Sequence, residues 1–113
     1  MLIWDIKTKI LKALGVSNRL HIVELLREDS LTVSEIAERL DIRQPQVSKH
    51  LRTLLEAGLV EFKAEANRRI YKLRPEPFIA LDFWLKEYRT MWEGKFDNLD
   101  YYLQDLQDDD SSK

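Results

Sequence analysis

The chain contains no cysteine. This excludes disulfides, thiolate metal centres and cysteine redox switching together. Glycine is scarce, with three residues in the chain, and histidine scarcer, with two. Neither a glycine-rich phosphate loop nor a nucleophile–base arrangement is present, which makes an enzyme the least supported class. Long apolar runs are missing too. No stretch of about 18 uncharged apolar residues occurs, so no membrane span is expected. The N-terminal MLIWDIKTKILKALG is apolar but interrupted by Asp5, Lys7, Lys9 and Lys12, which is unlike a signal peptide. Together these absences fit a cytoplasmic protein that uses no cofactor.

What is present is enough for one small domain: 113 residues, 44% of them hydrophobic, with three tryptophans. The net charge of −2 argues against a nucleic-acid partner until its distribution is considered. Residues 1–42 hold six Lys/Arg and seven Asp/Glu, and residues 75–113 hold four and ten. Residues 43–74 reverse the balance, with eight against three. A local basic surplus of this kind is the electrostatic footprint of a nucleic-acid binder.

That basic segment opens with QPQVSKHLRTLLEAG, residues 44–58. Pro45 suits the first turn of a helix, where its missing N–H costs nothing, and Gly58 suits the left-handed residue that ends one. Val47, Leu51, Leu54 and Leu55 make an apolar stripe, while Gln46, Ser48, Lys49, Arg52 and Thr53 occupy the other face. Taken alone, this is equally an ordinary amphipathic surface helix. Its neighbours decide between the two readings.

Leu2, Ile3, Ile6, Ile10, Ala13 and Leu14 mark an amphipathic helix over 2–14, stopped by Gly15. A core helix to Glu28 follows, capped by Ser17 or Asn18. Leu31 reads as a linker residue. Thr32-x-x-Glu35 is a capping box opening a third helix, Val33 to Leu40, with Val33, Ile36, Ala37 and Leu40 inward. Asp41, Ile42 and Arg43 then lead into the helix at Pro45, so the pair forms a helix-turn-helix. Beyond Gly58 the period changes to two. Val60, Phe62 and Ala64 alternate with charged residues, Asn67 supplies the positive-φ turn, and Arg69 to Leu73 alternate again. This is a β-hairpin over 60–73 with Arg68, Arg69, Lys72 and Arg74 on its far arm. The expected fold is therefore mainly α with a small hairpin, a winged helix-turn-helix core over 17–74.

After Pro75 and Pro77 a final helix is expected over 78–106, with Gly94 its weak point. Leu81, Leu85, Tyr88, Trp92, Leu99, Tyr102 and Leu106 follow a 4-3 repeat whose one polar member is Lys95, widened by Phe78, Trp84, Met91, Phe96 and Leu103. Its length, roughly 43 Å, exceeds what so small a core can cover, so the excess apolar surface predicts an interface. Residues 107–113 read as an acidic disordered tail.

PQVSKHLRTLLEAGLV followed by a basic hairpin ending in RRIYKL resembles the ArsR family of bacterial winged-helix repressors. The likeness runs from ALGVSNRLHIVELL to Leu73. The segment PFIALDFWLKEYRTMWEGKFDNLDYYL is similar to the C-terminal dimerisation helix of a non-metal branch. The resemblance implies a homodimer, built from the first and last helices, that represses transcription by occupying an operator. Metal-responsive members carry two cysteines in a pattern like LCVCDLA. Here the matching LTVSEIA has Thr32 and Ser34, which are not soft-metal ligands. Other members bind zinc through Asp and His between their last helices. Asp82 is present, but no histidine follows His50 and Trp84 stands where one is needed, so no metal is expected.

The expected DNA-binding residues are Gln44, Gln46, Ser48 and Lys49 on base edges, with Arg52 and Thr53 on phosphates and His50 either bracing the helix or meeting a phosphate. Arg68 and Arg69 of the wing hold flanking phosphates. The expected dimer interface comprises Ile3, Ile6, Ile10, Leu85, Tyr88, Trp92, Phe96, Leu99 and Leu103. The competing reading is a winged helix used for protein–protein assembly, its basic 43–74 segment pairing with an acidic 75–113 segment of another chain. Salt separates the two, because phosphate binding weakens steeply and log-linearly with it.

Overall fold

The computed structural model describes residues 3–92 together with Leu103 and Leu106. It falls into two compact units, residues 1–81 and 82–113. In chain order the elements are α1 (Ile3–Leu14), α2 (Ser17–Glu28), β1 (Leu31–Thr32), α3 (Val33–Leu40), α4 (Gln44–Glu56), β2 (Val60–Glu65), β3 (Arg68–Leu73) and α5 (Pro75–Arg89), followed by a 3-10 turn at Thr90–Trp92.

The core of the first unit forms where the predicted stripes meet. Ile22, Ile36, Val47, Leu51, Leu54 and Leu59 are all fully buried, drawn from α2, α3, α4 and the turn after α4. Val33 and Leu40 are half-buried at its edge rather than inside it. Ile10 was expected on an intersubunit stripe. At 1% exposure it belongs to this chain's own core, whereas Ile6 stays 41% exposed. The α1 stripe is wide enough to turn one edge inward, because Ile10 and Ala13, three residues apart, share the face packed on the core.

Helix ends follow local chemistry, with one exception. At α3, Glu35 N–H donates to the Thr32 hydroxyl (3.3 Å) and Thr32 N–H donates to the Glu35 carboxylate (2.9 Å), the expected capping box. At the end of α4, Leu59 N–H donates to Leu54 C=O and Gly58 N–H to Leu55 C=O, both at 3.0 Å. Gly58 has φ +76°, so α4 ends in a Schellman motif with Leu54 and Leu59 as its apolar pair. Helix α3 ends the same way through Asp41, whose φ is +54° and which turns the chain into α4. The exception is α2. Neither Ser17 nor Asn18 caps it; the N-cap is Val16, with no side-chain cap bond. Instead Arg19 reaches back, donating to Ala13 C=O (2.7 Å) and Lys12 C=O (3.2 Å), and so closes the end of α1.

The sheet has three antiparallel strands in the order β1-β3-β2. Leu31 is therefore a strand residue, not a linker: β1 pairs Leu31 with Tyr71 and Thr32 with Ile70. The hairpin register runs from Val60↔Leu73 to Glu65↔Arg68, leaving Ala66 and Asn67 as a two-residue loop. The positive φ falls on Ala66 (+57°), not on Asn67. A two-residue loop with positive φ at its first position alone is one of the two arrangements that match the right-handed twist of the strands.

Helix α5 starts at Pro75, three residues before the expected boundary, because both prolines fall in its first turn, where N–H groups have no intrahelical partner. Phe78 and Leu81 pack against the core of the first unit. The helix gives way at Thr90, where the hydroxyl donates to Glu87 C=O (2.8 Å). Such back-bonding competes with the helical ladder. Within the second unit, Asp82 accepts from Arg89 at 2.8 Å and lies 3.9 Å from Lys86, while Trp84 meets Tyr88 edge-on at 5.1 Å. Gly94, the expected weak point, Phe96, Leu99 and Tyr102 of the expected stripe, and the tail 107–113 lie outside the described residues. Leu103 is helical.

Candidate nucleic-acid interface

Helix α4 is held by Val47, Leu51 and Leu54, all at 0% exposure. At about 100° per residue, that anchor fixes where every other side chain of the helix emanates. Lys49 lies directly opposite the core. Gln44, Ser48 and Arg52 follow one flank, and Gln46, His50 and Thr53 the other. Gln44, Gln46, Ser48, Lys49 and Arg52 are exposed; His50 and Thr53 are half-buried.

The two flanks meet different neighbours. Gln44, Ser48 and Arg52 line a cleft of about 430 Å³ whose other walls are Thr32 and Ser34 at the start of α3 and Asn67, Arg68 and Arg69 of the wing. The fold thus brings the expected helix and wing residues onto one concave surface. Among the described residues, neither Arg68 nor Arg69 is in an ion pair. The other two cations of the far arm are engaged: Lys72 lies 3.3 Å from Glu61, and Arg74 lies between Glu76 (3.5 Å) and Glu61 (3.9 Å).

On the opposite flank, Thr53 lines a smaller hollow of about 150 Å³ with Lys9, Lys12 and Arg19. These cations of α1 and α2 were not foreseen. They lie 34 to 44 residues before Thr53 in sequence, and no local pattern signals the proximity. The Thr53 hydroxyl donates to Lys49 C=O at 3.4 Å, so it is partly turned back onto its own helix. His50 titrates below its ordinary value, first because burial disfavours its charged form and then because Arg19 and Lys49 repel it.

Of the expected interface residues, Leu85, Tyr88 and Leu103 are exposed, at 44%, 41% and 47%. Ile3 lies in α1 and Trp92 in the 3-10 turn. Ile79 and Phe83 are more exposed still, at 60% and 71%, and the sequence reading had given them no role. Among the described residues, no three His, Asp or Glu side chains gather in a way that could hold a metal ion. No described helix is long and apolar enough to cross a membrane.

A helix-turn-helix whose second helix turns polar and cationic groups outward beside a hairpin with two arginines at its tip is a winged helix-turn-helix. Residues 17–61 match the bacterial regulatory protein, arsR family, and the chain belongs to that family. It is similar to the HTH-type transcriptional regulator Rv2034 of Mycobacterium tuberculosis, with 40% identity over 70 residues, covering 62% of this chain and 65% of that protein. The match spans 65% of that protein's length and 53% of the HTH-type transcriptional repressor SmtB of Mycobacterium tuberculosis. Among solved structures it resembles the ArsR family transcriptional regulator RHA00566, with a TM-score of 0.70 and 28% identity over 78% of this chain and 91% of that one. It also resembles the homodimeric winged helix-turn-helix DNA-binding domain Mb0332 of Mycobacterium bovis, with a TM-score of 0.64 and 29% identity over 79% and 82%.

Proposed function

We propose that this chain is a homodimeric, sequence-specific DNA-binding regulator of transcription, acting in the cytoplasm as a repressor that occupies a palindromic operator. The observation that carries the reading is the cleft in which Gln44, Ser48 and Arg52 of α4 face Arg68 and Arg69 of the wing. Short polar groups and amides near the start of α4 suit base edges in the major groove, and guanidinium groups suit phosphates. Gln44, Gln46, Ser48 and Lys49 are accordingly assigned to base edges. His50, Arg52, Thr53, Arg68 and Arg69 are assigned to the backbone.

Dimerisation through Ile3, Ile6 and the C-terminal residues Leu85, Tyr88, Trp92, Phe96, Leu99 and Leu103 would set two copies of α4 about one DNA turn apart. The homodimeric Mycobacterium bovis neighbour supports this assembly. No enzymatic activity and no metal are assigned.

The test is to select duplexes from a random pool with the purified chain and titrate the enriched sequence against salt. A palindromic consensus and a steep log-linear salt slope are expected. Gln46→Ala should lower affinity for the consensus by about 1–3 kcal/mol while leaving non-specific binding in place. Failure to enrich any sequence, with binding indifferent to salt, would refute the reading and leave protein–protein assembly in its place.

A further inference from the structure

Phe62 is an aromatic residue that the core does not need. Alternation puts Val60, Phe62 and Ala64 on one face of β2, yet only Val60 is buried; Phe62 remains 39% exposed. Its ring contacts two residues on the facing strand. Tyr71, directly opposite in register, lies 5.5 Å away between centroids at 46°. The Arg69 guanidinium carbon lies 4.4 Å above the same ring. Arg69 is paired not with Phe62 but with Ala64, two residues nearer the loop on the same face. The small Ala64 side chain leaves room for the long arginine to lie back diagonally over the ring, within the reach of diagonal cross-strand neighbours. Arg68 has no such seat, since the next position along a strand faces the other way.

We propose that Phe62 is a positioning residue for Arg69: its ring holds the guanidinium over the wing's inner face, at the edge of the cleft with α4, ready to receive a DNA backbone phosphate. The inference rests on the DNA-binding reading above. A guanidinium attracted to a ring through its face keeps its N–H groups, which lie in its plane, for a phosphate. Holding the long side chain before DNA arrives removes part of the ordering cost of binding. The Tyr71 ring in turn fixes Phe62, so a chain of three side chains runs from the buried base of the wing to its basic tip.

The experiment has two arms. In the DNA-free protein, the side-chain proton resonances of Arg69 should be shifted upfield by the ring current of Phe62, and Phe62→Leu should abolish the shift. Absence of that shift in the wild type overturns the inference whatever the DNA result. In the second arm, binding to a mixed-sequence duplex at low salt is measured for Phe62→Leu, Phe62→Tyr, Arg69→Ala and the Phe62→Leu/Arg69→Ala double variant. Phe62→Leu should weaken binding about 2- to 5-fold, and Phe62→Tyr should bind like the wild type. In the Arg69→Ala background, Phe62→Leu should add nothing. A loss that is the same in both backgrounds, or leucine and tyrosine variants that behave alike, assigns Phe62 a merely structural role and sinks the proposal. A wild type that binds no duplex, with the ring-current shift intact, overturns the DNA reading itself and with it the role of the stack.

Discussion

Leu31 lies directly opposite Tyr71 across the β1–β3 ladder. Both are buried, at 2% and 5% exposure. The residue that leads into the helix-turn-helix and the innermost aromatic of the wing therefore share one register. Arg74 N–H, donating to Leu59 C=O at 2.9 Å, closes the base of the hairpin from the α4 side. The wing is thus tied at its root to both helices of the motif, which fixes where Arg68 and Arg69 stand relative to α4.

Truncating that anchor should be costly. Tyr71→Ala removes a buried ring and should destabilise the fold by about 3–5 kcal/mol, with little change in denaturant slope if unfolding stays two-state. Urea unfolding of both proteins checks this. A loss below 1 kcal/mol would mean that the wing is not integrated with the core.

The capping box predicts a specific acid response. Glu35 titrates below its ordinary value of 4.5, chiefly because it accepts from the Thr32 backbone N–H and then from the Thr32 hydroxyl. The folded chain therefore holds Glu35 charged at a pH where the unfolded chain protonates it. Its contribution is complete above 4.5 and is lost as pH falls through the lower folded value. The urea midpoint of the wild type should fall more steeply with acid than that of Glu35→Gln. Parallel curves would refute the assignment. Thr32→Ala, which removes the N-cap itself, should cost about 1 kcal/mol at neutral pH.

At the wing loop, Ala66 holds a φ of +57° that an L side chain disfavours. Ala66→Gly should stabilise the protein by about 0.5–1 kcal/mol, the relief of left-handed strain exceeding glycine's added freedom in the unfolded chain. Thermal or urea unfolding reads this directly, and a destabilised glycine variant would contradict it.

The seam on α5 can be tested against the opposite face of the same helix. Leu85 belongs to the 4-3 stripe, whereas Phe83, 71% exposed with Lys86 Nζ 5.4 Å from its ring, points away from it. Leu85→Glu should weaken self-association by about 2 kcal/mol or more, while Phe83→Glu should leave the sedimentation of the dimer unchanged. The reverse outcome would move the interface to the Ile79–Phe83 face. A wild type that stays monomeric at tens of micromolar would remove the dimer altogether.

The sequence by itself determined whatever depends on near neighbours. Pro45 and Gly58 bound α4 because first-turn imino groups and left-handed glycines act within one turn of the helix. Thr32 and Glu35 open α3 because three residues separate them. The alternation after Gly58 gave away the hairpin, and the inward stripe of α4 left Gln44, Gln46, Ser48, Lys49 and Arg52 outside. The tertiary structure decided what depends on distant partners. Leu31 became a strand only because Tyr71 lies beside it, and a two-residue strand has no periodicity to read. Ile10 turned inward because the α1 stripe was wide enough to face either a core or a partner, and packing chose the core for that residue. Positive φ went to Ala66 because the twist of the paired strands, more than side-chain preference, sets the loop geometry. Lys9, Lys12 and Arg19 came to stand beside Thr53, and Arg69 over Phe62, through helix packing and strand register. Those are relations between residues far apart or diagonally placed, and only the folded chain contains them.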